Sequence, residues 1–539
     1  MADLATLTTP IPPAPIPLQT GPRFRASRGG WAIFGVALAG GIGYIVFQLS
    51  RDLAGAGSQT SWPLLVLGAA LLIALGFECV NGFHDTANAV ATVIYTNSLE
   101  PQLAVVWSGI CNLCGVLVST GTVAYAIVAL LPIDLILQVS SRTSFAMIFA
   151  LLIAAILWNL GTWWLGLPAS SSHTLVGSIL GVGIANQFVN AQSSTAGVDW
   201  GQAVKVLEAL FISPVIGFSL AGILLLASKR MFRYPALYQA PQGSSPPPFP
   251  VRALMVFNCT GVSFFHGSND GQKGMGLIML ILIGTVPGAY SLNHGAGASD
   301  VQKFVNASER VVSMLDAHNP PATVSEAAAR GEVTEYIRTR KFTPETLSSL
   351  RTVIDSLDRE MSGRQAYSSL PAQEQANVRN GMYVAGEALT LIEKDRPNQF
   401  TSAEWKAVHS YRSSLDEATR YIPGWVKVAV ALALGLGTMV GWKRITITVG
   451  EKIGKQHLTY AQGAVAGFVA MGTIFGANGF GLPVSTTHIL SSGVAGTMAA
   501  NGSGLRMRTI RNIAAGWLFT LPAAALLSAL LYLAFRQLL

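Results

Sequence analysis

The chain has 539 residues, of which 51% are hydrophobic and only 12% charged, with a mean hydropathy of +0.46. Soluble domains carry about 25% charged residues, so this composition excludes a soluble globular protein and points to a polytopic membrane protein. The net charge of +8 is not a nucleic-acid signal, because the Lys and Arg residues sit in short loops beside apolar runs, where they report orientation.

Residues 1–30 are Pro-rich and end in Arg23, Arg25 and Arg28, which predicts a disordered cytoplasmic tail. The run 31–49 is too long for a signal-peptide core and predicts an extra N-terminal spanning helix. Ten further spans are predicted near 62–95, 102–131, 144–166, 168–190, 203–228, 254–286, 422–441, 460–478, 483–500 and 512–537. Three basic clusters flank them: Lys229, Arg230, Arg233 and Arg252; Lys443, Arg444, Lys452 and Lys455; Arg506, Arg508 and Arg511. All three fall on one side in this segmentation, and the positive-inside rule makes that side cytoplasmic. Residues 290–421 are polar and helix-patterned, with segments such as 301–317, 344–362 and 372–394, so they predict a helical insert on the opposite, periplasmic side. The four cysteines lie in apolar segments and imply no disulfide framework. The Cys111-x-x-Cys114 pair reads as helix packing.

One octet occurs twice. Gly166-Leu167-Pro168-Ala169-Ser170-Ser171-Ser172-His173 returns as Gly481-Leu482-Pro483-Val484-Ser485-Thr486-Thr487-His488. An acidic patch is also paired: Asn81-Gly82-Phe83-His84-Asp85-Thr86-Ala87-Asn88 and Phe265-His266-Gly267-Ser268-Asn269-Asp270-Gly271-Gln272-Lys273. From Asp85 to His173 is 88 residues and from Asp270 to His488 is 218; the excess of 130 matches the polar insert. Without the insert the two halves have nearly equal spacing and five spans each. An odd span count makes the halves run in opposite senses, the inverted-repeat plan of secondary transporters. The predicted fold is therefore all-α: inverted 5+5 repeats at 62–228 and at 254–289 with 422–539, a cytoplasmic linker at 229–253, the insert at 290–421, and the extra N-terminal span.

Each Gly-Leu-Pro starts a new helical segment, because Pro suits a first turn. Ser170, Ser171, Ser172 and Thr174, with Ser485, Thr486 and Thr487, then crowd two helix N-termini. Free N–H groups, the positive end of the dipole and neighbouring hydroxyls make such ends an anion cradle; ordinary N-capping needs only one hydroxyl. The spans holding Asp85 and Asp270 exceed 30 residues and contain several glycines, which predicts broken or strongly tilted helices. Carboxylates within a membrane are costly unless paired, hydrated or protonated, so Asp85 and Asp270 are candidates for a coupling ion, with helix capping in interfacial water as the alternative. Glu78 reads either as a further ion or metal contact or as a paired structural carboxylate. His84, His173, His266 and His488 are proton carriers or hydrogen-bonded structural residues; no Zn-ligand spacing occurs on one helix face. Lys273 either neutralises Asp270 or a bound anion, or snorkels to the surface.

These motifs resemble the inorganic phosphate transporter (Pit) family, in particular its bacterial low-affinity branch. The resemblance rests on 81–96, 166–174, 267–274, Thr459-Tyr460-Ala461-Gln462-Gly463 and 481–497, and covers 62–539 apart from the insert. It implies inverted repeats with a phosphate site between them and ion-coupled uptake at a bacterial inner membrane. It also implies phosphate carried with protons as a neutral complex of a divalent metal (Mg, Ca, Zn or Mn); other branches use sodium and one carries sulfate. Asn88 and Asn269 join the candidate ion-site residues and Gln462 the supporting ones. The family's trailing Asn is Lys273 in the second patch, and a fixed positive charge there disfavours a second, symmetric sodium site.

The expectation is a phosphate importer working by alternating access, not an enzyme and without a resident cofactor. Its expected partners are phosphate, protons (or sodium) and the lipid bilayer, with a homodimer as a candidate assembly. A membrane-embedded phosphohydrolase using Ser172 and His173 is the rival from another class; it lacks both a GxSxG elbow and an HExxH helix.

Overall fold

A computed structural model describes residues 28–55, 61–131, 133–137, 141–189, 198, 200–241, 245–318 and 324–538. The predicted N-terminal tail falls almost wholly outside them. The described residues form helices and short turns, with one isolated antiparallel bridge between Gly454 and Leu505 and no strand.

The helices run α1 (Arg28–Gly55), α2 (Ser61–Tyr95), α3 (Pro101–Leu117), α4 (Thr122–Val128), α5 (Ile133–Leu137), α6 (Arg142–Trp164), α7 (Ser171–Val189), α8 (Trp200–Met231) and α9 (Phe249–Thr285). After α10 (Pro287–Tyr290) comes the insert, with α11 (Ala298–His318), α12 (Glu326–Thr339), α13 (Pro344–Met361), α14 (Ala372–Asp395) and α15 (Ser402–Thr419). The chain then returns through α16 (Gly424–Thr438), α17 (Lys443–Ile447), α18 (Tyr460–Gly479), α19 (Thr486–Asn501) and α20 (Met507–Leu538).

Eleven spans were expected. Six helices among the described residues are long and apolar enough to cross a membrane, or up to eight if each of two bent pairs counts as one span. The helices that fall short are informative. α7 and α19 are the two hydroxyl-headed helices, of 19 and 16 residues, and α9 carries Asp270, Lys273 and their polar neighbours. Polar residues at these places lower the mean hydropathy of the segments that hold the site. Of the two expectations for the long helices, broken or strongly tilted, the break is absent: α2 runs 35 residues and α9 runs 37 without interruption. The break falls instead in the span expected at 102–131, where α3 and α4 meet at 78° around Gly121, whose φ of +92° favours glycine.

Packing follows a matched pattern. α2, α3, α9 and α16 form a central group, with α2 on α16 and α3 on α9 as its closest seams. Glycines make both seams tight: a Cβ at Gly82 or Gly437 would collide with the facing backbone, and so would one at Gly115 or Gly267. Flanking this group, α7 packs between α6 and α20, while α19 packs between α18 and α8. Each hydroxyl-headed helix is thus held by the last helix of the other half. Those last helices are both 32 residues long with an internal proline, Pro214 and Pro522. Their outward faces expose Phe211, Val215, Leu518 and Leu526, as a lipid-facing surface does.

The insert has a separate core built on Phe304, Tyr336, Leu350, Leu357, Leu389 and Tyr411. Two of its helices, α12 and α15, were not singled out in the sequence. It docks through Arg379, which donates to the Ile136 carbonyl at 3.0 Å, and Asn380, which donates to that of Leu137 at 3.0 Å. α1 lies against α16 and is pinned where Tyr290 and Trp425 donate to Asp52 Oδ2 at 2.6 and 3.2 Å.

Candidate functional site

The two octets fold alike. Gly166 and Gly481 both adopt left-handed φ, +66° and +63°, and end the preceding helix in the same way. Leu167 N–H reaches Thr162 O and Leu482 N–H reaches Ala477 O, each at 2.9 Å, the six-to-one closure of a Schellman turn. Ser170 and Ser485 then cap the new helices, accepting from His173 N and His488 N at 3.2 and 3.1 Å. For these two residues the capping role is the one observed.

The next hydroxyls converge on one carboxylate. Ser171 donates to Asp85 Oδ2 at 2.7 Å, and Thr487, from the other octet, donates to Asp85 Oδ1 at 2.6 Å. Asp85 is only 3% exposed. The donor cradle expected for an anion therefore already holds an anionic group of the protein itself. Ser172 occupies the place equivalent to Thr487 and also reaches across: Lys273 Nζ donates to Ser172 Oγ at 2.5 Å and lies 2.7 Å from Asp270 Oδ1. Ser172 in turn donates to the Val484 carbonyl at 2.9 Å. Lys273 is 1% exposed, so it neutralises Asp270 and does not snorkel.

His266 stands between the aspartates, with Nε2 3.7 Å from Asp85 Oδ2 and 3.7 Å from Asp270 Oδ2. Its other nitrogen is fixed by Asn112 Oδ1 at 2.8 Å. Ligand atoms of Asp85, His266 and Asp270 all lie within 4.8 Å of one another, so these three side chains have the donor types and proximity to hold a cation. Two of them, His266 and Asp270, are an i, i+4 pair on one face of α9. The expectation of no metal-ligand spacing on one helix face is corrected by this pair, although the third donor, Asp85, comes from α2. His84 packs beside its neighbour, Nδ1 3.3 Å from Asp85 Oδ1, and is oriented by Thr162 at 3.1 Å. Glu78 is fully buried against Gly274, with the buried Asn81 side chain beside it.

Other candidates stand further off. Thr174 donates to Asn159 Oδ1 and to its own helix. Gln462 belongs to the capping box that starts α18 and donates to Ser503. Asn269 ties α9 to Asn478 and to the Leu482 carbonyl at 2.6 and 3.2 Å, which steadies the second octet. Thr486 Oγ1 is buried without a partner. His173 and His488 face each other with ring centroids 4.4 Å apart, and His488 stacks on Trp517 at 4.0 Å. The Asn88 side chain lies outside the described residues. Asn112, Asn159, Thr162 and Asn478 were not among the expected site residues; a polar side chain inside an apolar span was the signal each of them gave.

A family model described as the phosphate transporter family matches residues 81–528. The chain is 39% identical over 488 residues to the low-affinity inorganic phosphate transporter PitB of Escherichia coli (strain K12), covering 87% of this chain and 96% of that protein. It is also 39% identical over 486 residues to PitA of the same organism, with the same coverage. The probable low-affinity inorganic phosphate transporter of Bacillus subtilis (strain 168) is 27% identical over 471 residues, which is 87% of this chain and 97% of that one. Among solved structures, one described as the sodium-dependent phosphate transporter aligns with a TM-score of 0.49 and 19% identity, over 88% of this chain and 100% of that chain. The duplicated octet and the paired acidic patches lie inside the matched region, and the chain belongs to the phosphate transporter family.

Proposed function

We propose that this protein imports inorganic phosphate across the bacterial inner membrane by alternating access, coupled to protons, with phosphate carried as a neutral complex of a divalent metal. The observation that carries this reading is the convergence of hydroxyls from both octets on Asp85. Donors that hold a carboxylate at 2.6 and 2.7 Å are suited to hold a phosphate oxygen. A proton or cation arriving at Asp85 weakens its claim on Ser171 and Thr487 and frees them for the substrate. Cation and anion then load together, which is the requirement of a symporter. The cluster of Asp85, His266 and Asp270 is the place for the proton or the metal that accompanies phosphate. Lys273 fixes a positive charge at Asp270, which favours one cation site over a symmetric pair. The matched packing of α7 on α20 and α19 on α8 supports the inverted-repeat reading, with the two arms rocking about the central group.

In proteoliposomes, Asp85→Asn and Ser171→Ala are each expected to abolish radiolabelled phosphate uptake while membrane insertion stays normal. Unchanged uptake in both variants would refute the site. Collapse of uptake with a protonophore, persistence without sodium and loss on magnesium removal are expected. A requirement for sodium would replace the proton reading, and full inhibition by sulfate would redirect the substrate.

A further inference from the structure

Two contacts beside the site occupy matched positions in the two halves and have opposite chemistry. Phe83 stands two residues before Asp85, and Trp163 three residues before Gly166. Their rings meet edge to face, with centroids 5.3 Å apart. Ser268 stands two residues before Asp270, and Asn478 three residues before Gly481. Those two also meet: Asn478 Nδ2 donates to Ser268 Oγ at 3.2 Å. The duplication keeps the contact and exchanges an aromatic pair for a polar one.

The aromatic pair stands between the site and a surface opening. On its inner side, Thr162 orients His84, which packs on Asp85. On its outer side is a cavity of about 310 Å³ whose wall includes Trp163, Gly441, Lys443 and Arg444. Exposure falls along this line, from the exposed Arg444 through the half-buried Trp163 and Phe83 to the buried Thr162, His84 and Asp85. Three elements close on one another here. The Trp163 indole donates to the Gly441 carbonyl at 2.7 Å, in the turn between α16 and α17, and a side chain on Gly441 would press on the Phe83 ring. Arg444 lies over Trp163 and Trp164, 5.2 and 4.4 Å from their ring centroids, and donates to the Trp164 carbonyl at 2.6 Å. α17 then runs into a π-helical turn at Thr448–Lys452, an irregularity that gathers at functional sites. Thr448 ties this segment to the first octet, donating to the Gly166 carbonyl at 2.8 Å.

A plainer account is that these contacts only finish α6, whose last carbonyls need donors. Arg444 does serve the Trp164 carbonyl in that way. Finishing a helix, however, requires neither an aromatic contact across to α2 nor a matching contact at the same two positions of the other half.

We infer that Phe83 and Trp163, clamped by Arg444, form the gate between the site and the Lys443/Arg444 face, and that Ser268 and Asn478 form its counterpart toward the insert. The inference rests on the alternating-access reading above. An edge-to-face pair under a guanidinium excludes water and is held by several contacts at once. A hydroxyl–amide pair exchanges its partner for water at little net cost. The two gates are therefore unequal: at rest the site is shut more firmly toward the basic face and opens more readily toward the insert.

The test uses the full-length chain with Cys79, Cys111, Cys114 and Cys259 as serine and Ser171→Cys as reporter, since Ser171 touches Asp85. An impermeant methanethiosulfonate is applied to sealed vesicles of each sidedness, without phosphate. With both gates intact, the reporter should label faster from the insert face. Trp163→Ala is expected to speed labelling about tenfold from the Lys443/Arg444 face, with a smaller change from the other. Arg444→Gln, an exposed change, is expected to speed it about threefold and carries the test if Trp163→Ala fails to fold. Rates unchanged in both variants, or raised equally from both faces, would overturn the inference. Labelling needs no uptake, so a parent that takes up no phosphate counts against the transport reading, and unchanged labelling against the gate.

Discussion

Lys273 shows what burial does to a residue whose role the sequence left open. A lysine near the end of an apolar run can reach water along its own stem, but at Lys273 the packing of α3 and α2 against α9 closes that route. Its charge is instead answered by Asp270, and its hydrogen bond to Ser172 Oγ links the second acidic patch to the first octet. Removing one member of such a buried pair strands the other and costs about 3–5 kcal/mol. Lys273→Met is therefore expected to lower the unfolding free energy by about that much, while Lys273→Met/Asp270→Asn recovers most of it, as read by chemical denaturation in detergent. Equal losses in the single and double variants would show that the pair does not stabilise the protein. The opposite lesson comes from His266 and Asp270: their i, i+4 spacing was visible, but Asp85 lies on another helix. No local pattern could supply the third member of that cluster.

At the scale of elements, patterns that depend on local backbone chemistry were legible. The Gly-Leu-Pro breaks, the N-capping serines and the insert helices 298–318, 344–361 and 372–395 lie close to where periodicity and capping rules place them. The misplaced break had a physical cause. Glycines in α2 and α9 signal close approach to α16 and α3 rather than a kink, and a helix interior tolerates a glycine when a neighbouring backbone occupies the space of the missing Cβ. Capping also gives the insert a pH response. Glu404 accepts from Thr401 N–H at 2.7 Å and faces His318 at 2.8 Å; these contacts hold its carboxyl down to about 2 from an ordinary 4.5. A depressed carboxylate contributes stability that is complete above its unfolded value and disappears as pH falls through its folded one. Amide protection at the start of α15, followed by hydrogen exchange, should fall between about pH 4.5 and 2 in the parent. Glu404→Gln should start lower and change little across that window; an unchanged profile would contradict the assignment.

For the whole molecule, the sequence carried the membrane class, the duplication and the separate insert, because these follow from composition and spacing. Which helix packs on which was not legible, since the exchange of α8 and α20 between the arms leaves no local mark. The topology we favour has a direct check. The insert attaches at the C-terminal end of α9 and the N-terminal end of α16, and a cavity it lines meets α8 at Trp200, opposite the Lys229 and Arg230 end. In a background where Cys79, Cys111, Cys114 and Cys259 are serine, Lys303→Cys should react with an impermeant maleimide in spheroplasts. Arg508→Cys should react only after permeabilisation. The reverse result would invert the orientation.

The exchange of last helices also bears on how the protein is made. α7 leaves the ribosome with its octet complete, but the surface that covers Gly177 and Gly181 belongs to α20, a 32-residue helix made more than 300 residues later. During all the synthesis in between, including that of the insert, the first octet waits without its clasp. A nascent chain stopped after α8 thus has every residue of one octet and no means of seating it, and assembly of the site is deferred until α20 has been made.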